Sequence, residues 1–360
     1  MPPGTGQPGD VVSAESESLL LIDAKAWFVL YRSTDALGSP TTVSGTVLVP
    51  NVAWQGQGPR PIIAFAHGTV GVTDDCAPSK GIVWGVFMET SSVQKAIAEG
   101  WAVAITDYEG LGTPGNHTYT VNISEAHAVL DSVRAAIRMP ETGLDQRAPV
   151  AIWGYSQGGG AAAAAAERAP TYAPELPVRG VAAGGVVADL AAVAANLEGS
   201  LYFGFATAAS QGLDTAYPEL DLESFLNDAG KSEYDAIQNG TKSGCLIDLL
   251  TTYAFKRTSD YTTSDPLLTA AWQKRLTENR LGDVNPHIPA LLYHGEIDEI
   301  IPLAVGQGLR DRWCALGVTV KWVGYPLGLH LTAQSSAEDE VVSWLRDRFD
   351  GVQASSTCGL

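Results

Sequence analysis

Basic residues are scarce in this 360-residue chain: 22 Lys and Arg stand against 40 Asp and Glu, a formal net charge of −18. So acidic a chain repels phosphate backbones and anionic headgroups, which excludes nucleic acid and anionic lipid as partners. Long apolar runs are missing too. Nothing approaches the ~18–20 residues that span a bilayer, so no stable membrane insertion is expected. Cysteine is sparse, at 76, 245, 314 and 358. No C-x-x-C spacing occurs, so neither a metal site nor a redox pair is called for. Four cysteines fit two disulfides in an exported protein, or equally four buried thiols in a cytosolic one. A secretory leader is absent as well, since Met1–Asp10 is polar and rich in Pro and Gly. It reads as the start of a mature, secreted chain after its signal peptide is removed.

What is present suffices for a large core. Hydrophobic residues make up 45% of the chain and charged ones 17%, enough for one large domain or two modest ones. The organising stretch is Val150-Ala151-Ile152-Trp153-Gly154-Tyr155-Ser156-Gln157-Gly158-Gly159-Gly160, followed by six alanines. It predicts a buried strand, an abrupt turn, and a small-residue helix that Pro170 stops. A serine at the tip of such a turn is held in strained backbone geometry. Its neighbours two before and two after must be tiny, or they would collide. The hydroxyl then points into open space, and the helix N-terminus behind it offers N–H groups to a developing anion.

Around that centre, strands and helices alternate. The first dozen residues are expected to be loose. Leu19–Arg32 and Thr41–Val49 read as a hairpin, and Ile62–Ala66 as a buried strand ending in His67-Gly68-Thr69. Helices are expected over Val83–Glu99, Ile123–Met139, Leu303–Leu316 and Ser336–Phe349. Further strands are expected over Trp101–Thr106, Pro177–Gly185, Ile288–His294 and Val318–Val323. This alternation predicts a mostly parallel central sheet with helices on both faces. From 196 to 285 the rhythm breaks into helix-like, aromatic-rich sequence. That predicts a core of 1–195 and 286–360 carrying an inserted, mainly helical lid or cap at 196–285.

A serine hydroxyl is a weak nucleophile and needs a base, with a third group to orient the base. In a doubly wound sheet these follow the serine as acid, then histidine, each just past a strand end. After the strand ending at His294 come Glu296, Asp298 and Glu299. Asp298 takes the acid's position, three residues after Gly295 and four before Pro302. Glu296 and Glu299 are expected to be solvated or capping, and His294 structural. Of six histidines only His330 follows the last strand, which makes it the candidate base. The oxyanion donors are expected to be the backbone N–H groups of Gln157 and of Thr69.

With these residues in hand, the chain resembles the secretory lipase family of α/β-hydrolases, the fungal lipase A type. The resemblance covers nearly the whole chain. Its marks are Asp75-Cys76-Ala77-Pro78-Ser79, Tyr108-Glu109-Gly110, Gly154-Tyr155-Ser156-Gln157-Gly158, Tyr172-Ala173-Pro174-Glu175-Leu176, Asp298-Glu299-Ile300-Ile301-Pro302 and His330-Leu331-Thr332-Ala333. It implies an α/β-hydrolase fold, a triad of Ser156, Asp298 and His330, a helical lid over an acyl site, and the pairs Cys76–Cys245 and Cys314–Cys358. One departure stands out. The fungal pattern has an acidic residue in the oxyanion loop, near His67-Gly68-Thr69-Val70 here, so a backbone amide is expected to serve, with Asp74 and Asp75 close by. The expected activity is hydrolysis of acylglycerol-type or other hydrophobic esters by a monomer, with no cofactor and no metal. Two alternatives remain open: an acyltransferase or polyester-cleaving esterase with the same triad, and a binding protein on an inactive hydrolase fold.

Overall fold

A computed structural model describes residues 6–238 and 243–359; the first five residues of the polar start and 239–242 of the expected cap lie outside that description. The first three strands, Val11–Glu17 (β1), Ala24–Thr34 (β2) and Pro40–Pro50 (β3), form an antiparallel meander. Next come Ile62–Ala66 (β4), helices Pro78–Trp84 (α1) and Thr90–Ala98 (α2), Ala102–Thr106 (β5) and helix Asn122–Arg138 (α3). The serine strand Val150–Tyr155 (β6) leads into helix Gln157–Tyr172 (α4), then Val178–Gly184 (β7) and helix Leu190–Leu197 (α5). Helices Phe203–Ala216 (α6), Asp228–Gln238 (α7), Leu246–Thr252 (α8), Thr258–Tyr261 (α9) and Ala270–Glu278 (α10) precede Ala290–Gly295 (β8). Helix Leu303–Ala315 (α11), strand Val320–Tyr325 (β9) and helix His330–Phe349 (α12) close the chain.

The nine strands form one sheet in the order β1-β2-β3-β5-β4-β6-β7-β8-β9. It is parallel from β5 to β9, and β3 joins it antiparallel to β5. This is the α/β-hydrolase fold with an inserted helical lid. Because strand side chains alternate faces, Ile62, Ala64 and Ala66 point into the layer beneath α3 and α4, whereas Ile63 and Phe65 point into the layer beneath α1, α2 and α12. The alanines from 161 to 166 are all buried. Their small side chains let α4 lie close against both the sheet and α3.

Four local expectations need correction. Val11 and Val12, the end of the dozen residues expected to be loose, already belong to strand β1; the pattern there carries no alternation of its own, and pairing with β2 holds it. The expected helix over Val83–Glu99 is two helices, because Gly85 adopts φ 71° and ends α1. Pro170 does not stop α4, since it falls in the last turn, where Ala173 N–H still closes on Ala169 O at 3.0 Å. Finally, α12 begins at His330 rather than Ser336. Its first N–H is capped from another loop, His330 N–H donating to Glu299 Oε2 at 3.0 Å. No helix of the described residues is long and apolar enough to cross a membrane.

Candidate active site

The turn from β6 to α4 has the strain its sequence predicts. Ser156 sits at φ 61°, ψ −122°, a conformation that non-glycine residues rarely adopt. Two glycines make it possible. A Cβ on Gly154 would lie 2.1 Å from the carbonyl oxygen of Gly158, and one on Gly158 would lie 1.9 Å from that of Ala66. Ser156 N–H donates to Gly184 O at 2.9 Å, tying the tip to the end of β7.

Three of the expected residues meet there. His330 Nε2 lies 2.9 Å from Ser156 Oγ, and His330 Nδ1 lies 2.7 Å from Asp298 Oδ2. A carboxylate beside Nδ1 selects the Nδ1–H tautomer and leaves Nε2 free to accept the serine proton. The ring is held from several sides: it packs on Tyr155 with centroids 5.0 Å apart, and the Tyr155 hydroxyl donates to His330 O at 2.6 Å. Asp298 Oδ1 accepts from Ile300 N–H at 2.9 Å and Ile301 N–H at 2.8 Å. Burial works to raise the Asp298 pKa. The hydrogen bond and charge of His330, with the Ile301 and Ile300 N–H groups, more than reverse that, so it stays below the ordinary carboxylate value.

The competing acids do other things. Glu296 is exposed, and its N–H donates to Tyr325 O. Glu299 caps α12 and accepts from the Tyr202 hydroxyl at 3.1 Å. His294 is buried, its Nε2 2.9 Å from Ile301 O, which makes it a donor to that carbonyl.

Gln157 is the first residue of α4, where helix N–H groups have no intrahelical partner. Thr69 lines the same cavity as Ser156, a cramped space of about 30 Å³ between the sheet end, α5 and α6. Thr69 Oγ1 is 2.6 Å from the Tyr119 hydroxyl. Asp74 and Asp75 turn elsewhere: Asp74 accepts from Gly112 N–H, and Asp75 pairs with Lys80. Behind this cavity lies a larger one of about 530 Å³, and Leu190, Ala194, Ala206 and Ala209 line both.

Sequence reasoning missed the groups that brace the expected oxyanion donors. The Gln157 side-chain amide donates to Glu125 Oε1 at 2.7 Å and to His117 Nε2 at 3.2 Å. His117 can accept because burial pulls its pKa down to about 4, leaving it neutral, and its Nδ1 lies 2.9 Å from Glu109 O. Glu125 Oε1 also accepts from Thr120 N–H, while its Oε2 is buried without a partner among the described residues. On the other flank Glu89 accepts from Gly68 N–H at 2.8 Å and from Gln334 at 2.9 Å. Burial, opposed by these hydrogen bonds, pushes both Glu89 and Glu125 up to about 8. No local sequence signal singles them out, since a glutamate near a helix start reads as an ordinary first-turn acid.

The structure joins Cys76 to Cys245 and Cys314 to Cys358, leaving no free cysteine among the described residues. The first bond works alongside main-chain pairing between the same segments: Leu246 N–H donates to Val70 O at 2.9 Å and Val72 N–H to Gly244 O at 3.0 Å. The start of α8 is thereby stitched to the loop that carries Thr69.

Comparison with known proteins points one way. The family model described as secretory lipase matches residues 78–357. Lipase 1 of Candida albicans is 31% identical over 362 residues, covering 94% of this chain and 75% of that protein. The secreted triacylglycerol lipase LIP7 of Malassezia globosa is 29% identical over 381 residues, covering 98% and 78%. The crystal structure of Candida antarctica lipase A in its closed state is similar with a TM-score of 0.88 at 25% identity, covering 98% of this chain and 85% of that one.

Proposed function

The chain belongs to the secretory lipase family of α/β-hydrolases, an ester-hydrolase family, and we propose that it cleaves fatty-acyl esters, acylglycerols above all, through an acyl-serine intermediate on Ser156. The observation that carries this reading is the relay from Asp298 through His330 to Ser156, with steps of 2.7 and 2.9 Å. Ser156 Oγ attacks the ester carbonyl and its proton passes to His330 Nε2, while Asp298 stabilises the imidazolium. The N–H groups of Gln157 and Thr69 receive the oxyanion. His330 then hands the proton to the leaving alcohol. A water deprotonated by His330 attacks the acyl carbonyl, releasing the acid and restoring Ser156.

The substrate class draws support from a relative named as a triacylglycerol lipase and from the larger cavity, where Leu190, Phe203, Leu213 and Tyr253 offer apolar wall to an acyl chain. On this reading 196–285 acts as the cap and shapes the acyl end, while 1–195 and 286–360 supply the chemistry. A place outside the cell fits both the family and two disulfides, which persist in oxidising compartments. A serine-reactive phosphonate should label the protein stoichiometrically, and Ser156→Ala should lose both labelling and turnover of p-nitrophenyl esters while melting at the same temperature. Undiminished turnover by Ser156→Ala would overturn the assignment.

A further inference from the structure

Two hydroxyls that the triad does not use meet at the cavity of Ser156. Thr69 Oγ1 lies 2.6 Å from the Tyr119 hydroxyl, and neither oxygen has another hydrogen-bond partner among the described residues. Thr69, Tyr119, Thr120 and Ser156 all line that one cavity. The tyrosine is held firmly. It is buried, with its ring edge-on to His117 at a centroid distance of 5.8 Å. Thr120, the next residue, is left-handed at φ 58°, an uncommon conformation for a β-branched side chain. Two bonds keep it there: Thr120 N–H donates to Glu125 Oε1 at 2.9 Å, and its hydroxyl donates to Tyr119 O at 2.7 Å. From the cap side, a Cβ on Gly212 would lie 2.4 Å from Tyr119 O, so α6 presses on this segment through a glycine. Thr69 is fixed by its neighbours, Gly68 N–H donating to Glu89 and Leu246 N–H to Val70 O. Strain kept this tightly beside a nucleophile points to a side chain that must be aimed.

Two hydroxyls in contact share one hydrogen bond, so one proton is left over. Burial holds the Tyr119 phenol well above its ordinary pKa, and it keeps its proton. That proton has no acceptor other than Thr69 Oγ1 among the described residues. Tyr119 therefore donates, Thr69 accepts, and the proton of Thr69 is free to turn into the cavity. A hydroxyl that accepts a hydrogen bond is itself a stronger donor. We propose that Thr69 serves the oxyanion twice, through its N–H and through its Oγ1–H, and that Tyr119 is the positioning residue that aims this second donor. The proposal rests on the acyl-serine reading of Ser156 and adds a side-chain donor to the two backbone ones. A donor already aimed before charge develops costs no reorganisation when the oxyanion forms.

The test reads kcat and KM on a fully dissolved short-chain p-nitrophenyl ester. Thr69→Val keeps the shape and the N–H but removes the hydroxyl, and should lower kcat about 10²-fold. KM should stay within about twofold, because the bond is made only as the oxyanion forms. Thr69→Ser restores a hydroxyl and should recover about tenfold of that loss. Tyr119→Phe should lower kcat about tenfold, again with KM little changed. The deciding variant is Thr69→Val/Tyr119→Phe. Its kcat should equal that of Thr69→Val, since Tyr119 acts through a hydroxyl already removed. A further fall in the double variant would overturn the relay, because a merely structural tyrosine damages both backgrounds alike. If Thr69→Val does not fold, Tyr119→Phe carries the test by itself, and full kcat there overturns the proposal. Retained turnover by Ser156→Ala would overturn the acyl-serine reading and the donor with it, whereas full kcat in Thr69→Val would overturn the donor alone.

Discussion

Three buried carboxyl groups surround Ser156, and the two sides of the site treat them oppositely. On the His330 side, Asp298 is held below the ordinary carboxylate pKa. On the side of Gly68 and Gln157, Glu89 and Glu125 are pushed up to about 8. Burial alone raises all three. The difference lies in partners: Asp298 faces an imidazole that can take a positive charge and accepts two N–H groups besides, whereas Glu125 accepts one N–H and one neutral amide. The split suits the chemistry. In the proposed mechanism the base needs a fixed anion to stabilise its imidazolium, while a fixed anion beside Gln157 or Gly68 would oppose the negative charge that develops on the substrate oxygen. A neutral glutamic acid can brace the donors without that penalty.

Neutralising each acid with its own amide should break the comparison most visibly. Asp298→Asn should lower kcat by about 10⁴, because the imidazole loses the carboxylate that sets its tautomer. Glu125→Gln should leave kcat within about twofold, since its amide oxygen can still accept from Gln157. Glu125→Ala should lower kcat about tenfold or more with KM little changed, as the Gln157 brace is lost. Steady-state kinetics on a dissolved ester checks all three. If Glu125→Gln were as damaging as Asp298→Asn, Glu125 would be acting as an anion.

The same contrast has a pH signature in stability. Glu89 and Glu125 have folded pKa values raised from 4.5 to about 8, so the folded state binds more protons than the unfolded one across that window. Their contribution is present at low pH and is lost as pH climbs through about 8. Asp298, with its pKa lowered from 3.8, runs the other way: its contribution is present above 3.8 and lost as pH falls through its folded pKa. The Tm of the unmodified protein should therefore fall relative to that of the double variant Glu89→Gln/Glu125→Gln between pH 4.5 and 8. An unchanged slope in the double variant would remove both glutamates from the account.

The smallest expected effect concerns the tethers. The disulfides span 169 and 44 residues of sequence, and by loop entropy each contributes about 4–5 kcal/mol at most. Cys314→Ser should lower Tm and leave ester selectivity alone. Cys245→Ser should lower Tm and also cut long-chain ester turnover severalfold relative to short-chain, because the bond joins the cap to the loop carrying Thr69. The effect stays modest because the Val70–Leu246 and Val72–Gly244 hydrogen bonds remain. An unchanged long-to-short ratio would leave the tether a purely structural role.

What could be read from the residues alone was local. Gly154 announces the tight turn at Ser156 because its clash with the Gly158 carbonyl acts within five residues, whereas Gly158 must be small because of Ala66 on another strand; strand and helix periods announce the alternation around the turn. The order of Ser156, Asp298 and His330 was legible too, since each follows a strand end and the sheet gathers strand ends at one rim. Boundaries failed where a distant partner decided them. The start of α12 depends on Glu299, which lies 31 positions earlier, and β1 exists because β2 pairs with it. Tertiary structure alone decided the protonation contrast. A glutamate's charge depends on burial and on what faces it, and the groups facing Glu89 and Glu125 come from Gly68, Gln334, Thr120 and Gln157, three of them from elsewhere in the chain. Desolvation has no period and no spacing, so no pattern in the sequence carries it.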